Sequence, residues 1–193
     1  MAMSREERRA LVEQYAKGPK RVRQALAKVP KQALKWSPAE GKWSVHEVIV
    51  HCADSETNAA LRVRYLLAEK EPLIVGYDQE TWARLFDYHG QPLEESLTAA
   101  AAARSRTVPL LRRMTEADWA KEGRHTESGR YTAEDWLRIY AAHLEGHARQ
   151  IERNLEAWKA RQKASGLRRR TPSSRSRTPG SRKPRARGRS RTP

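Results

Sequence analysis

The sequence predicts an all-α protein, a bundle of four main helices followed by a disordered basic C-terminal tail. Three observations carry that prediction. Apolar residues recur at three- and four-residue intervals through most of the chain, and Ser or Thr stands three residues ahead of an acid at several helix starts. From about Ser165 onward, apolar residues give way to Arg, Ser, Pro and Gly. Strand-like alternation is absent apart from a short extended piece around Arg124 to Tyr131.

Ser4 and Glu7 read as a capping box that opens the first helix toward Lys17. Gly18-Pro19 is expected to interrupt it, with Pro19 in the first turn of a continuation through Lys28 and Val29-Pro30 closing the element. Ser37-Pro38-Ala39-Glu40, followed at once by Gly41, reads as a short turn. Ser44 and Glu47 form a cleaner capping box. The helix they open puts Val45, Val48, Ile49 and Cys52 on one face and runs through Leu61, Tyr65 and Leu66 to Glu71-Pro72.

Tyr77-Asp78 begins a shorter helix holding Trp82, Leu85 and Phe86, closed by His89-Gly90. Pro92 opens an alanine-rich helix to Met114 with Leu93, Leu97, Leu110 and Leu111 as its apolar residues. Inside it, Pro109 removes a backbone donor and crowds the Ser105 carbonyl, so a kink or break is expected there. Thr115 with Asp118, and Thr132 with Asp135, are further N-cap signatures. The last helix carries Trp136, Ile139, Tyr140, Leu144, Ile151, Leu155 and Trp158 at helical spacing. Four main helices with connections of mixed length imply a bundle.

A chain of 193 residues with 38% hydrophobic content is long enough for one domain plus an appendage. The boundary falls between a helical body, 1–162, and a tail, 163–193. Of the net charge of +16, twelve positive charges belong to the tail, which has no acid, and the body keeps +4. Basicity is therefore a property of the tail. It cannot bury enough apolar area to offset backbone ordering, and it is suited to non-specific attraction to nucleic acid or other polyanions. A lone cysteine, Cys52, excludes an internal disulfide framework. No stretch has signal-peptide or membrane-spanning length, which fits a cytoplasmic protein without membrane contact.

The chemistry concentrates on three histidines. His143 and His147 are four residues apart and so lie one above the other on a helix face, beside the apolar stripe of Tyr140, Leu144 and Ile151. His51 flanks Val48 and Cys52 on a different helix, which a bundle can bring opposite the pair. Burying three imidazoles is costly without a partner, and a divalent metal is the partner that three such groups suit. Gly146, within the same turn, leaves room for close approach by a ligand or another helix. Asp54, one turn from His51, is a candidate to orient that ring.

Other residues read as bystanders. His46 falls about 140° around the helix from His51 and reads as exposed, while His89 and His125 fall in loops. Cys52 points along the apolar stripe and reads as a buried structural thiol. Trp43, Trp82 and Trp136 read as core, although a tryptophan at the mouth of a metal pocket could touch substrate.

The run Trp43-Ser-Val-His-Glu-Val-Ile-Val-His51-Cys-Ala-Asp54-Ser-Glu and the later run Tyr140-Ala-Ala-His143-Leu-Glu-Gly-His147-Ala-Arg-Gln-Ile151 resemble the DinB-like superfamily. Within it they are similar to the YfiT-like metal-dependent hydrolases. The middle fits too, in Tyr77-Asp-Gln-Glu-Thr-Trp82-Ala and in Leu-Leu-Arg-Arg-Met-Thr-Glu-Ala-Asp-Trp119, so the likeness spans roughly residues 20 to 158. The resemblance implies a four-helix bundle, commonly a homodimer, with zinc or nickel held by His51, His143 and His147. Relatives in that superfamily include thiol S-transferases using bacillithiol, glutathione or mycothiol, and a thiol-dependent isomerase. The Arg/Ser/Pro tail and Pro109 depart from the family's pattern.

With histidine ligands alone a divalent ion keeps its charge and open coordination positions. Bound water would make a hydrolase. A bound low-molecular-weight thiol would make an S-transferase, the reading the sequence favours, because no HExxH-type carboxylate accompanies the pair: Leu144 follows His143, and Glu145 points about 160° from His147. A non-catalytic, metal-stabilised binding module with a polyanion-binding tail is the third reading.

Overall fold

The computed structural model describes residues 3–170, with side chains described through Ser165. The tail beyond Arg170, and with it the expected disorder and polyanion binding, lies outside the described residues. Of the segment 163–193 that the sequence reading expected to be disordered, residues 163–170 instead continue the last helix.

Four long helices form the body: α1 (Arg5–Leu26), α2 (Val45–Ala68), α4 (Leu93–Arg113) and α6 (Ala133–Arg170). The short helices α3 (Gln79–Leu85) and α5 (Glu116–Trp119) decorate the connections. Ser4 and Ser44 cap α1 and α2 with full capping boxes, Asp78 caps α3, and Thr115 with Asp118 caps α5. At the start of α6, Thr132 Oγ1 accepts from the Asp135 amide while the Asp135 carboxylate accepts from the Thr132 amide. No helix among the described residues is long and apolar enough to cross a membrane.

Side-chain pairs fix how the helices run. Arg8 meets Glu134 and Arg21 meets Glu152, so α1 and α6 are parallel. Glu13 meets Arg112 and Arg23 meets Glu94, so α1 and α4 are antiparallel. Trp136 Nε1 donates to the Ala59 carbonyl while His51 lies beside His143, so α2 and α6 are antiparallel. That last relation positions the site, because it slides the first third of α2 past the middle of α6.

The core forms two apolar clusters. One gathers Tyr15, Ala59, Val63, Val108, Leu111, Trp136 and Tyr140; the other gathers Val22, Ile49, Cys52, Leu97, Leu144 and Ile151. Between them, at the same level on all four helices, sits a polar layer of Gly18, Glu56, Arg104 and His143.

Two helices depart from the sequence reading, and the extended piece it expected is present as strands. Helix α1 passes through Gly18-Pro19 without interruption. Helix α4 likewise runs unbroken through Pro109, whose neighbour Ser105 is exposed at the surface. The extended piece around 124–131 becomes a hairpin, β2 (Glu122–His125) with β3 (Gly129–Thr132), turning through Gly129 at φ +76°. A two-residue strand, β1 (Leu73–Ile74), pairs with β2 in parallel, and its length is too short to leave a period-two pattern.

Candidate metal centre

Helix α2 presents His51, almost wholly buried, and α6 presents His143 and His147, both half-buried. One nitrogen from each ring falls within 4.8 Å of the others. His143 Nε2 lies 3.4 Å from His51 Nε2 and 3.1 Å from His147 Nε2. A cation bonded to imidazoles at about 2.0–2.1 Å spaces their nitrogens by roughly 2.9 Å at right angles and 3.4 Å at tetrahedral angles. These two separations fall within that range, and the third pair, His51 and His147, lies within 4.8 Å.

The other ring nitrogens set the tautomers. His143 Nδ1 lies 2.8 Å from Glu56 Oε1, and a carboxylate can only accept, so Nδ1 carries the proton and Nε2 offers its lone pair. His147 Nδ1 lies 2.9 Å from Gln150 Oε1, which orients that ring in the same way. Two lone pairs then face each other across 3.1 Å, an arrangement that repels unless a cation lies between them. His51 Nδ1 is buried and has no partner among the described residues. The donor set therefore fits a divalent metal.

Burial, and then the neighbouring His147 and His143 rings, push the His51 pKa down to about 2. Burial, and then His143, push His147 down to about 4. Both rings stay neutral at ordinary pH, the form in which an imidazole can hold a metal. Burial alone would raise the Glu56 carboxyl, but the Arg104 charge and the hydrogen bonds from His143 and Arg104 prevail, and its pKa falls.

Glu56 and Arg104, both essentially inaccessible, are the supporting residues that the sequence reading missed. Arg104 donates from Nε to Glu56 Oε2 at 2.8 Å and from Nη2 to Oε1 at 2.7 Å, a bidentate fork. A signal existed: Glu56 interrupts the stripe Val48, Cys52, Ala59, Val63, and Arg104 interrupts Leu97, Ala100, Val108, Leu111. Opposite charges on two facing apolar stripes imply a buried pair.

Asp54 does not take the role expected of it. Three residues on from His51, it is rotated about 60° off that ring's direction, and its Oδ2 accepts from Tyr88 Oη at 2.6 Å. No hydrogen bond joins it to His51. Trp43 packs against His51 with ring centroids 4.8 Å apart, held by Nε1 donating to Glu80 and by Asn154 donating to its carbonyl.

His46 is buried rather than exposed, because the segment after α3 covers the first turn of α2 and places the Gln91 carbonyl 2.9 Å from Nε2. His89 lies against Ser44 and Glu47, and His125 Nδ1 accepts from the Glu127 and Ser128 amides in the hairpin turn. None of the three joins the triad. Cys52 is buried, and burial pushes its thiol pKa up. Glu145 pairs with Arg21 and Arg149. Among the described residues nothing lies within 4 Å of where a Cβ on Gly146 would stand, so no described helix uses the space there.

Comparison with known proteins agrees with this fold. Residues 14–151 match the sequence profile of the DinB superfamily. A provisionally named metal-dependent hydrolase of Oceanobacillus iheyensis is 34% identical over 133 residues, covering 69% of this chain and 77% of its own. YfiT of Bacillus subtilis, named in the same provisional way, is 26% identical over 151 residues, covering 78% and 85%. The solved structure of YfiT, described as having an unusual four-helix bundle topology, aligns with a TM-score of 0.75 at 25% identity over 84% of this chain and 91% of that one.

Proposed function

The chain belongs to the DinB superfamily, and on that premise we propose that it is a metal-dependent hydrolase centred on His51, His143 and His147. The observation that carries this reading is the convergence of three ring nitrogens, two with lone pairs fixed inward by Glu56 and Gln150. A divalent cation held by three neutral ligands keeps its full charge and supplies a Lewis acid toward water and toward a substrate oxygen. The protein's part is positioning. Glu56 and Gln150 fix two rings, and Trp43 covers the third. The provisional names of the relatives support hydrolysis.

One observation favours a second reading, S-transfer from a low-molecular-weight thiol. The carboxylates nearest the triad on α2 are both engaged, Asp54 with Tyr88 and Glu56 with Arg104 and His143, so neither is free to take a proton from water. A thiol needs less help from a base, since its proton is far more easily lost near a divalent cation.

The test uses zinc- and nickel-loaded protein with a panel of chromogenic esters and phosphoesters, and with monochlorobimane plus glutathione, bacillithiol or cysteine. Ester or phosphoester turnover that disappears in His143→Ala supports the hydrolase. Bimane conjugation without hydrolysis would replace it by the transferase. Stoichiometric metal with neither reaction would leave a metal-stabilised binding module.

A further inference from the structure

Helix α1 carries a Gly-Pro pair in its middle, an arrangement that ordinarily weakens a helix. Pro19 has no N–H, so the carbonyl of Tyr15, four residues earlier, lacks its helical donor. Arg104 supplies one: its Nη1 donates to the Tyr15 carbonyl at 2.6 Å. Gly18 makes the approach possible, since a Cβ there would stand 2.3 Å from Arg104 Nη1. The guanidinium lies 4.1 Å over the Tyr15 ring, and Nη2 also donates to the Tyr140 carbonyl at 2.7 Å. Three backbone and aromatic contacts thus fix the guanidinium before its fork reaches Glu56.

Glu56 Oε1 is shared between Arg104 Nη2 and His143 Nδ1, while Oε2 is held by Arg104 Nε. The plane of the carboxylate is set by the fork, and the direction of the His143 ring is set by that plane. A buried ion pair between two apolar clusters is weak support for stability, because apolar residues of similar volume often serve as well. What the pair adds is orientation of a metal-binding ring.

We propose that Gly18, Pro19 and Arg104 are positioning residues of the metal centre, a socket in α1 that seats a guanidinium, locks the Glu56 carboxylate and through it aims His143 Nε2 at the cation. The proposal rests on the triad being a metal site. It makes the middle of α1, which contributes no ligand, a determinant of metal affinity.

The test compares full-length wild type with Gly18→Ala, Pro19→Ala, Arg104→Lys and Glu56→Gln. Each is measured for metal-free thermal unfolding, for Co(II) and zinc affinity by chelator competition, and for the Co(II) visible spectrum. Gly18→Ala and Arg104→Lys are expected to weaken metal binding about 10- to 100-fold, as losses of a ligand's supporting partner do, and to shift the Co(II) bands. Lysine keeps the charge but not the fork. Pro19→Ala returns a helical donor to the Tyr15 carbonyl, which then competes with Arg104. It is expected to leave the metal-free fold at least as stable while weakening Co(II) binding, a split that a purely structural role would not produce. In the Glu56→Gln background, Gly18→Ala should add little further loss of metal, because the two act through one path.

Unchanged affinity and spectrum in folded Gly18→Ala and Pro19→Ala would overturn the proposal while leaving the metal site intact. Wild type that binds no stoichiometric Co(II) would instead overturn the metal site itself, and the proposal with it.

Discussion

Glu56 Oε1 and His143 Nδ1 lie 2.8 Å apart at the heart of the bundle, and that contact decides which nitrogen of His143 faces the other two histidines. A carboxylate on one helix and an imidazole on another, 87 residues apart in sequence, together fix one corner of the triad.

Removing any one ligand leaves two imidazoles. His51→Ala, His143→Ala and His147→Ala are each expected to lower zinc affinity by more than the roughly 10- to 100-fold cost of losing a supporting partner. Chelator competition measures this, with circular dichroism showing that the helices persist. Retained affinity in any one variant would remove that histidine from the site.

The bundle was legible in the sequence because its cause is local. Capping boxes at Ser4 and Ser44 and stripes of apolar residues mark the helices directly. The histidine pair was legible for a related reason: His143 and His147 share a helix face by spacing alone. Their support was not. Whether Asp54 or Glu56 reaches a histidine depends on a rotation of the helix by two residues and on what faces it, and Arg104 lies 48 residues away from Glu56. The prolines show the same division. Gly18-Pro19 looks like a break until the guanidinium that occupies it is known, whereas Pro109 lies on an exposed face where water can serve the freed carbonyl.

The depressed histidines make the metal-free protein acid-sensitive. His51 and His147 are lowered from 6.5 to about 2 and about 4, so between pH 6.5 and 4 the unfolded chain binds protons that the folded chain refuses. Stability therefore falls as pH drops through that window, by up to about 1.4 kcal/mol per pH unit for each histidine. Below about 4 only His51 continues to contribute. Urea unfolding of metal-free protein at pH 7, 6, 5 and 4 measures the slope, and His147→Gln should flatten it. An identical slope in the variant would contradict the assignment.

Cys52 is buried beside His51 in the chain, and burial pushes its thiol pKa up. Ellman's reagent is expected to react with it negligibly in the native protein and fully after urea unfolding. Rapid native labelling would show an accessible thiol and reopen a role for it in the reaction.

Pro109 is exposed within α4, and no side chain among the described residues donates to the Ser105 carbonyl. Pro109→Ala should restore a helical hydrogen bond and stabilise the protein by about 1–3 kcal/mol, judged by chemical denaturation. No gain, or a loss, would mean that α4 depends on a bend there.

The most direct measurement of the central claim is X-ray absorption spectroscopy on zinc-loaded protein at one metal per chain. The account predicts a first coordination shell with three imidazole nitrogens at about 2.0–2.1 Å and no sulfur, reduced in histidine count by His51→Ala and His147→Ala alike. A shell containing sulfur at about 2.3 Å, or one unaltered by either substitution, would contradict it.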